Sequence, residues 1–285
     1  MPASKNKRVE IFRIVYYTFL TISAIIILVP IFWMLSASFD RINTYELPFP
    51  PRFLPGNPSL FNFTLVIKNM RILTFIKNTV IVASLSVALQ LLIVPLAGFA
   101  FSKGRFPLKA LILLAIMSSM MVPFETRIMP IFLLMRQWNL SNTYLGVILP
   151  NVMTSAFFIF LLKKAFDDLP NDLMESAYID GASRLRIYAQ IYLPLVGPML
   201  ATMVVLDVLA VWNDLLWPMI ITNKVNNSTI QVGLAMFASG SADNISRHAG
   251  MASAASMLSI LPLALVFIFC QRYIVQSIAV SGIKQ

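Results

Sequence analysis

Six stretches of the chain are apolar over lengths that cross a bilayer: residues 14–39, 78–102, 110–134, 144–162, 196–222 and 251–273. A helix rises about 1.5 Å per residue, so some 20 apolar residues traverse roughly 30 Å of hydrocarbon. The pattern predicts an all-α, polytopic membrane protein with six transmembrane helices. Two of the runs are impure, the third by Glu125 and Arg127 and the fifth by Asp207 and Asp214. Ionisable groups at that depth are costly unless they face protein or water, so these two helices are expected to line an interior. Glu125 and Arg127 are close enough in sequence to pair with each other. Asp207 and Asp214 are seven residues apart and are expected on nearly the same side of one helix.

The first run follows a basic tail, residues 1–13, and at first sight resembles a signal peptide. It is too long for a 7–15-residue h-region, and Pro30 and Trp33 continue it without a small-residue cleavage site, so a retained first helix is expected. Between the first two runs, residues 40–75 are proline-rich (ELPFPPRFLPGNPS) and predict an irregular loop followed by a short interfacial helix. The polar segment 223–248 is either a plain connector or a contact with something outside the cell.

The segment AFDDLPNDLMESAYIDGASRLRIYAQIYLPLVGP, residues 165–198, is organised differently. Pro170 breaks the preceding helix, and Asp172 with Glu175 three residues later predicts a capping-box start. Gly181 ends that short helix because it takes positive φ at little steric cost, and Ser183 is placed to cap a second helix running to the Leu193–Pro194 break. Leu173 with Ala177, and Met174 with Tyr178, share faces of the first helix; Leu185, Tyr188, Ala189 and Tyr192 form one stripe on the second. So small an amphipathic pair cannot span the bilayer, and it packs either on its own helix ends or on a partner protein.

Composition agrees with lipid as the solvent: 58% of residues are hydrophobic and 12% charged, against about 25% charged in soluble domains. The net charge of +10 raises nucleic acid as a partner. The basic residues are scattered in small groups without an aromatic platform, which excludes that reading and favours lipid headgroups and topology. Thirteen of the 22 basic residues fall in alternate connections, including Lys103, Arg105 and Lys109 in the turn SKGRFPLK, and this places both termini in the cytoplasm. Cys270 is the only cysteine and His248 the only histidine. With no HExxH, GxSxG or clustered carboxylate pair, an enzyme is not expected, nor is a metal or cofactor site. No glycine begins a GxxxxGK[ST] phosphate loop, so the chain is not expected to bind ATP.

The string ESAYIDGASRLRIYAQIYLP resembles the "EAA" loop of ATP-binding-cassette (ABC) importer permeases, whose pattern is EAAxxDGA, about nine residues, then IxLP. Glu175, Ala177, Asp180, Gly181, Ala182, Ile191, Leu193 and Pro194 match in order, and Ser176 stands where the second Ala is usual. MMVPFETRIMPIFLLMRQWNLSNTYLGVILP, WNDLLWP and SILPLALVFIFCQRYIVQSIAVSGIKQ extend the resemblance to the smaller, six-helix subunit of maltose-type sugar importers, over most of the chain from Pro58 onward.

The resemblance implies a multi-pass protein of a bacterial or archaeal inner membrane, working as half of a heterodimer with a second permease subunit. Its other partners would be two cytoplasmic ATPase subunits, which hold the ATP and Mg, and an extracytoplasmic solute-binding protein that delivers a sugar. Residues 165–195 would be the coupling loop seated in an ATPase cleft. Within it Glu175 either meets a basic residue of the ATPase or is only a local cap, Gly181 sets the turn, Ala177 and Ala182 allow close seating, and Asp180 completes the motif. Asp207, Trp212, Asn213 and Asp214 either line the sugar pathway, with the aromatic stacking on the sugar, or glue helices together. Relatives usually carry an uncharged residue at the position of Asp207. A glycerol phosphate or polyol permease is the same-class alternative. A secondary transporter or channel using the intramembrane acids is the alternative from another class, and uptake without ATP would distinguish it.

Overall fold

A computed structural model describes residues 3–44, 52–153, 155–239 and 249–282. Part of the proline-rich stretch (45–51), the end of the outer polar segment with His248 (240–248) and Lys284 lie outside the described residues. Every regular element among the described residues is a helix. Three helices are single apolar spans, Phe12–Phe39, Ile72–Lys103 and Ala249–Gln271, and three further spans are helix pairs bent at a break. That makes up to six crossings, as the hydropathy pattern requires, although half of them are broken.

Contacts group the chain into two compact units, residues 1–72 with 236–260, and residues 73–235 with 261–285. In the first unit, α1 (Ala3–Phe39) exposes its large apolar side chains from Phe12 to Phe32, while Ser36, Ala37 and Ser38 at its end are buried. Its end is tied to the loop before α2 (Phe61–Asn69) by Asp40, which is fully buried. The Asp40 carboxylate accepts the N–H groups of Ile42, Gly56 and Asn57 at 2.9–3.1 Å. The Asn62 amide donates to Ser38 O and Asp40 O at 3.1 and 2.9 Å. A buried carboxylate needs such donors, and here they turn an irregular loop into a fixed clasp.

The second unit holds α3 (Ile72–Lys103), α4 (Lys109–Ser118), α5 (Phe124–Gln137), α6 (Tyr144–Met153) and α7 (Ala156–Asp167). The short helices α8 (Asp172–Ile179), α9 (Arg184–Ile187) and α10 (Leu193–Leu195) follow, then α11 (Gly197–Asn213), α12 (Leu216–Ile221) and the start of α13 (Ile230–Ala238). The last helix, α14 (Ala249–Gly282), belongs to both units in turn.

Several boundaries differ from those the sequence predicts. Helix α3 starts at Ile72, six residues before the predicted 78, directly after a left-handed turn at Arg71 (φ 50°). The third run is no single helix: α4 and α5 meet at 106° across Val122 and Pro123. Pro123 disfavours helical backbone at Val122, which is extended at φ −87°, ψ 115°. Arg127 does not pair with Glu125; its guanidinium carbon lies 5.9 Å from the Phe124 ring centroid, and the ion pairs among the described residues are Lys163–Asp167 and Lys164–Asp168. The fifth run also breaks, with α11 ending at Asn213.

Close packing holds the bundle. At Gly98 an added Cβ would lie 3.0 Å from the Leu162 Cβ and 3.1 Å from Lys163 N, so the glycine lets α3 and α7 touch, as small residues do between membrane helices. Trp217 is fully buried and donates its Nε1–H to Gly146 O at 3.0 Å, linking α12 to α6. The described part of the polar segment after α12 is held in place. The Asn78 amide donates to Asn226 O and Ser228 O at 2.7 and 2.9 Å, and Asn142 Oδ1 accepts the N–H groups of Asn223 and Lys224.

Candidate functional site

Helix α8 begins after Pro170, but not by the predicted capping box. Its N-cap is Asn171, whose side chain makes no cap bond and instead accepts from Lys103 Nζ at 2.7 Å. Lys103 also donates to Leu169 O at 2.8 Å, and Ser102 Oγ donates to Asp167 Oδ1 at 2.7 Å. The end of α3 therefore fastens the chain just ahead of α8. At the other end of α8, Gly181 is left-handed (φ 76°), Gly181 N–H donates to Tyr178 O, and Ala182 N–H to Ala177 O. That pair of bonds is the Schellman closure, and it needs positive φ at the residue Gly181 occupies. Ser183 caps α9 as predicted, its Oγ accepting Arg186 N–H at 3.4 Å.

The break predicted at Leu193–Pro194 falls instead at Val196–Gly197, where the chain bends by 76°. Pro194 has no N–H to donate, and the helix absorbs it through a π-helical turn at Tyr188–Tyr192, with Leu193 N–H reaching back five residues to Tyr188 O. The turn also splits the predicted apolar stripe. Tyr188 and Tyr192 point inward, at 8% and 0% exposure, while Leu185 is 68% exposed and Ala189 is exposed with it.

The inward residues join one core. Ala177, Ile187, Tyr188 and Tyr192 pack with Leu162 and Phe166 of α7, Val94 of α3, Met203 of α11 and Val196 just before it; Leu91, Phe99, Met174 and Ala182 pack around them. Phe99 sits 5.3 Å from each of the Tyr188 and Tyr192 rings and 5.6 Å from Phe166. Aromatic pairs at such distances add about 0.5–1.5 kcal/mol each beyond their buried area. Tyr192 also donates its hydroxyl to Pro170 O at 3.0 Å.

The outward side is the reverse. Ile179 is 87% exposed, Leu173, Tyr178 and Leu185 are exposed as well, and so are Glu175 on α8 and Asp180 at its C-cap. The Glu175 carboxylate has no partner among the described residues. Ala177 is 6% exposed, so its small size serves packing within this chain, and an approaching surface meets Ile179, Tyr178 and Leu185. Ile179 escaped the sequence reading because a motif match weights its own letters, while Tyr178 and Leu185 were grouped there with neighbours that turn inward.

A second feature lies deeper. A cavity of about 360 Å³ opens among α3, α5, α6, α7 and α11. Gln90, Asn151, Ser155, Asp207, Asn213 and Asp214 supply its polar lining, and Phe124, Phe157 and Phe158 its aromatic lining. Gln90 lies near the middle of the 32-residue helix α3, which puts the cavity at mid-membrane depth. Gln90 Nε2 donates to Asp207 Oδ1 at 2.7 Å, a bond buried on both sides.

Of the four pathway candidates, Asp207, Asn213 and Asp214 line the cavity and Trp212 does not; it is 4% exposed. The two acids are also unlike. Asp214 is not on the helix but at its extended C-cap, where its carboxylate accepts the N–H groups of Leu216 and Trp217 and a bond from the Asn151 side chain. It ends α11 and starts α12. Asp207 has one bonded oxygen, and its Oδ2 has no partner, like Gln90 Oε1. Gln90 was missed by the sequence reading; a lone amide inside the run VALQLLIV was the signal.

Comparison with known proteins fixes what this arrangement belongs to. The family described as "Binding-protein-dependent transport system inner membrane component" matches residues 91–280. The chain belongs to this family. The match takes in α7 to α12 whole, with both the α8 segment and the α11 wall of the cavity, while Gln90 lies one residue outside it. The chain is 33% identical over 233 residues to the arabinooligosaccharides transport system permease protein AraQ of Halalkalibacterium halodurans, covering 81% of this chain and 82% of that one. It is 30% identical over 274 residues to the sn-glycerol-3-phosphate transport system permease protein UgpE of Salmonella typhi, covering 93% and 95%. A crystallised bacterial ABC transporter involved in the import of the acidic polysaccharide alginate contains a chain that superposes with a TM-score of 0.81 at 25% identity, over 93% of this chain and 97% of that one. This protein is an inner-membrane permease component of an ABC importer.

Proposed function

We propose that the chain forms half of the membrane pathway for a sugar or oligosaccharide, and that the α8 segment transmits the closure of a separate cytoplasmic ATPase to the cavity. One observation carries the reading: a single buried core runs from Ala177 and Tyr192 to Val94 and Met203, and ends one helical turn short of Gln90 on α3 and of Asp207 on α11. A push on α8 therefore reaches both sides of the Gln90–Asp207 pair through packed side chains, which deform little. Exposed Ile179 supplies the apolar contact such a push needs, and Glu175 and Asp180, exposed on the same segment, add charge that a partner can meet.

The remaining parts follow from this division of labour. ATP and Mg belong to two ATPase subunits, a second permease completes the pathway, a binding protein delivers the solute, and both termini of this chain face the cytoplasm. Ala182 and Gly181 shape the segment, and Asp180 and Glu175 meet the ATPase. Similarity to the arabinooligosaccharide permease supports a carbohydrate; similarity to the glycerol-3-phosphate permease favours the second reading, a phosphorylated polyol. Reconstitution of the five-part assembly in liposomes tests this directly. Uptake of a labelled oligosaccharide is expected to require ATP and to vanish with Ile179→Asp. Uptake that proceeds without the ATPases would make the chain a secondary transporter or channel.

A further inference from the structure

The cavity has an unusual hydrogen-bond balance. Gln90 and Asp207 are 2% and 3% exposed, yet Gln90 Oε1 and Asp207 Oδ2 have no donor. Buried polar atoms are nearly always bonded, and a carboxylate oxygen left without a donor is costly in a dry site. The neighbouring donors make their bonds elsewhere: Ser155 Oγ–H to Val152 O at 2.7 Å, one N–H of Asn213 to Leu209 O at 2.8 Å, and one of Asn151 to Asp214, and none of them reaches Asp207 Oδ2. The Gln90 amide is itself used on Asp207. None of the eleven lining residues is basic; Arg127, whose guanidinium carbon lies 5.9 Å from the Phe124 ring centroid, is not among them.

We infer that the Gln90–Asp207 pair is a charge filter, which makes this half of the pathway admit neutral or amino-bearing carbohydrates and exclude uronates and phosphate esters. The inference rests on the proposal that the cavity belongs to the solute path. Hydroxyl and ammonium groups bring the donors that Gln90 Oε1 and Asp207 Oδ2 lack. A carboxylate or phosphate brings only acceptors and a second negative charge into a cleft already lined by Asp207 and Asp214, where low-dielectric walls strengthen repulsion. On this ground the solute differs from the anionic ones named for the glycerol-3-phosphate permease and the alginate transporter.

The test uses the assembled transporter in liposomes at pH 8, with Cys270→Ser and a reporter Ala210→Cys on the exposed side of the cavity lining. Modification of this chain is followed by mass with two reagents of similar size, 2-(trimethylammonium)ethyl and 2-sulfonatoethyl methanethiosulfonate, each rate divided by its rate on free 2-mercaptoethanol. The cationic reagent is expected to be favoured about tenfold or more, the range for a cleft of one sign, and Asp207→Asn should cut that preference severalfold. Equal normalised rates that Asp207→Asn leaves unchanged would overturn the charge filter while leaving the cavity on the pathway. If neither reagent reaches the reporter while exposed cysteines react, the cavity is not on a solute path and the inference falls with that reading. Should Asp207→Asn fail to assemble, the same preference at Ser155→Cys with Asp207 intact supports the filter, and its absence there overturns it.

Discussion

The α8 segment and the Gln90–Asp207 cavity are both incomplete, in opposite ways. Around α8 the chain is fixed by the Gly181 turn, the Ser183 cap and the Lys103 bonds, and the large apolar side chains of Ile179 and Leu185 are left in solvent. In the cavity the buried atoms that lack a partner are polar: Asp207 Oδ2 and Gln90 Oε1. An apolar gap calls for a protein surface, while an acceptor gap calls for a solute that donates hydrogen bonds. The contrast separates a docking site from a binding site without reference to any relative.

Five changes sharpen that contrast, beginning with the largest effect. Gly181→Val forces a β-branched residue to φ 76°, a strain of about 1–3 kcal/mol, and misdirects both short helices; ATP-driven uptake should fall to background although the chain still inserts. Retention of normal uptake would show that the turn has no mechanical role. Ile179→Asp alters a side chain already in solvent, so membrane levels should be unchanged while ATPase co-purification drops about tenfold or more, the equivalent of about 1.4 kcal/mol of contact energy. Lys103→Met removes the donor to Leu169 O and Asn171, worth about 1.5–3 kcal/mol as charge-assisted bonds. Uptake should fall severalfold with the ATPases still bound, because α8 remains present but loosened from α3.

The smallest effects come from the two acids, and they should differ in kind. Asp214→Asn weakens acceptance of the Leu216 and Trp217 N–H groups, so thermal stability of the assembly should drop by about 1–2 kcal/mol. Asp207→Asn removes an unpaired buried charge, so stability should hold or rise while uptake of a neutral oligosaccharide falls. Equal stability losses in the two variants would erase the distinction drawn between them.

Much of this fold is legible in the sequence because hydropathy reports burial in lipid directly, and because Gly181 and Ser183 act through local backbone geometry. The rest depends on long-range partners. The capping box at Asp172 and Glu175 is not formed because Asn171 stands at the N-cap with its side chain bonded to Lys103, 68 residues away in sequence. The equivalence of Asp207 and Asp214 fails because the helix ends between them, and Trp212 turns into the core. Gln90 acquires meaning only through Asp207, 117 residues later. Ile179 stands out only once Ala177 and Tyr192 are seen to occupy the inner face.

The central claim is mechanical: contact at Ile179 moves the walls of the cavity. Thiol accessibility at Ala210→Cys, measured with a small neutral reagent in the full assembly with and without ATP, tests it most directly. ATP is expected to change the modification rate severalfold, and Ile179→Asp to abolish the change while leaving the ATP-free rate intact. An ATP-dependent change that survives Ile179→Asp and Gly181→Val would contradict it, since the force would then reach the cavity by another route.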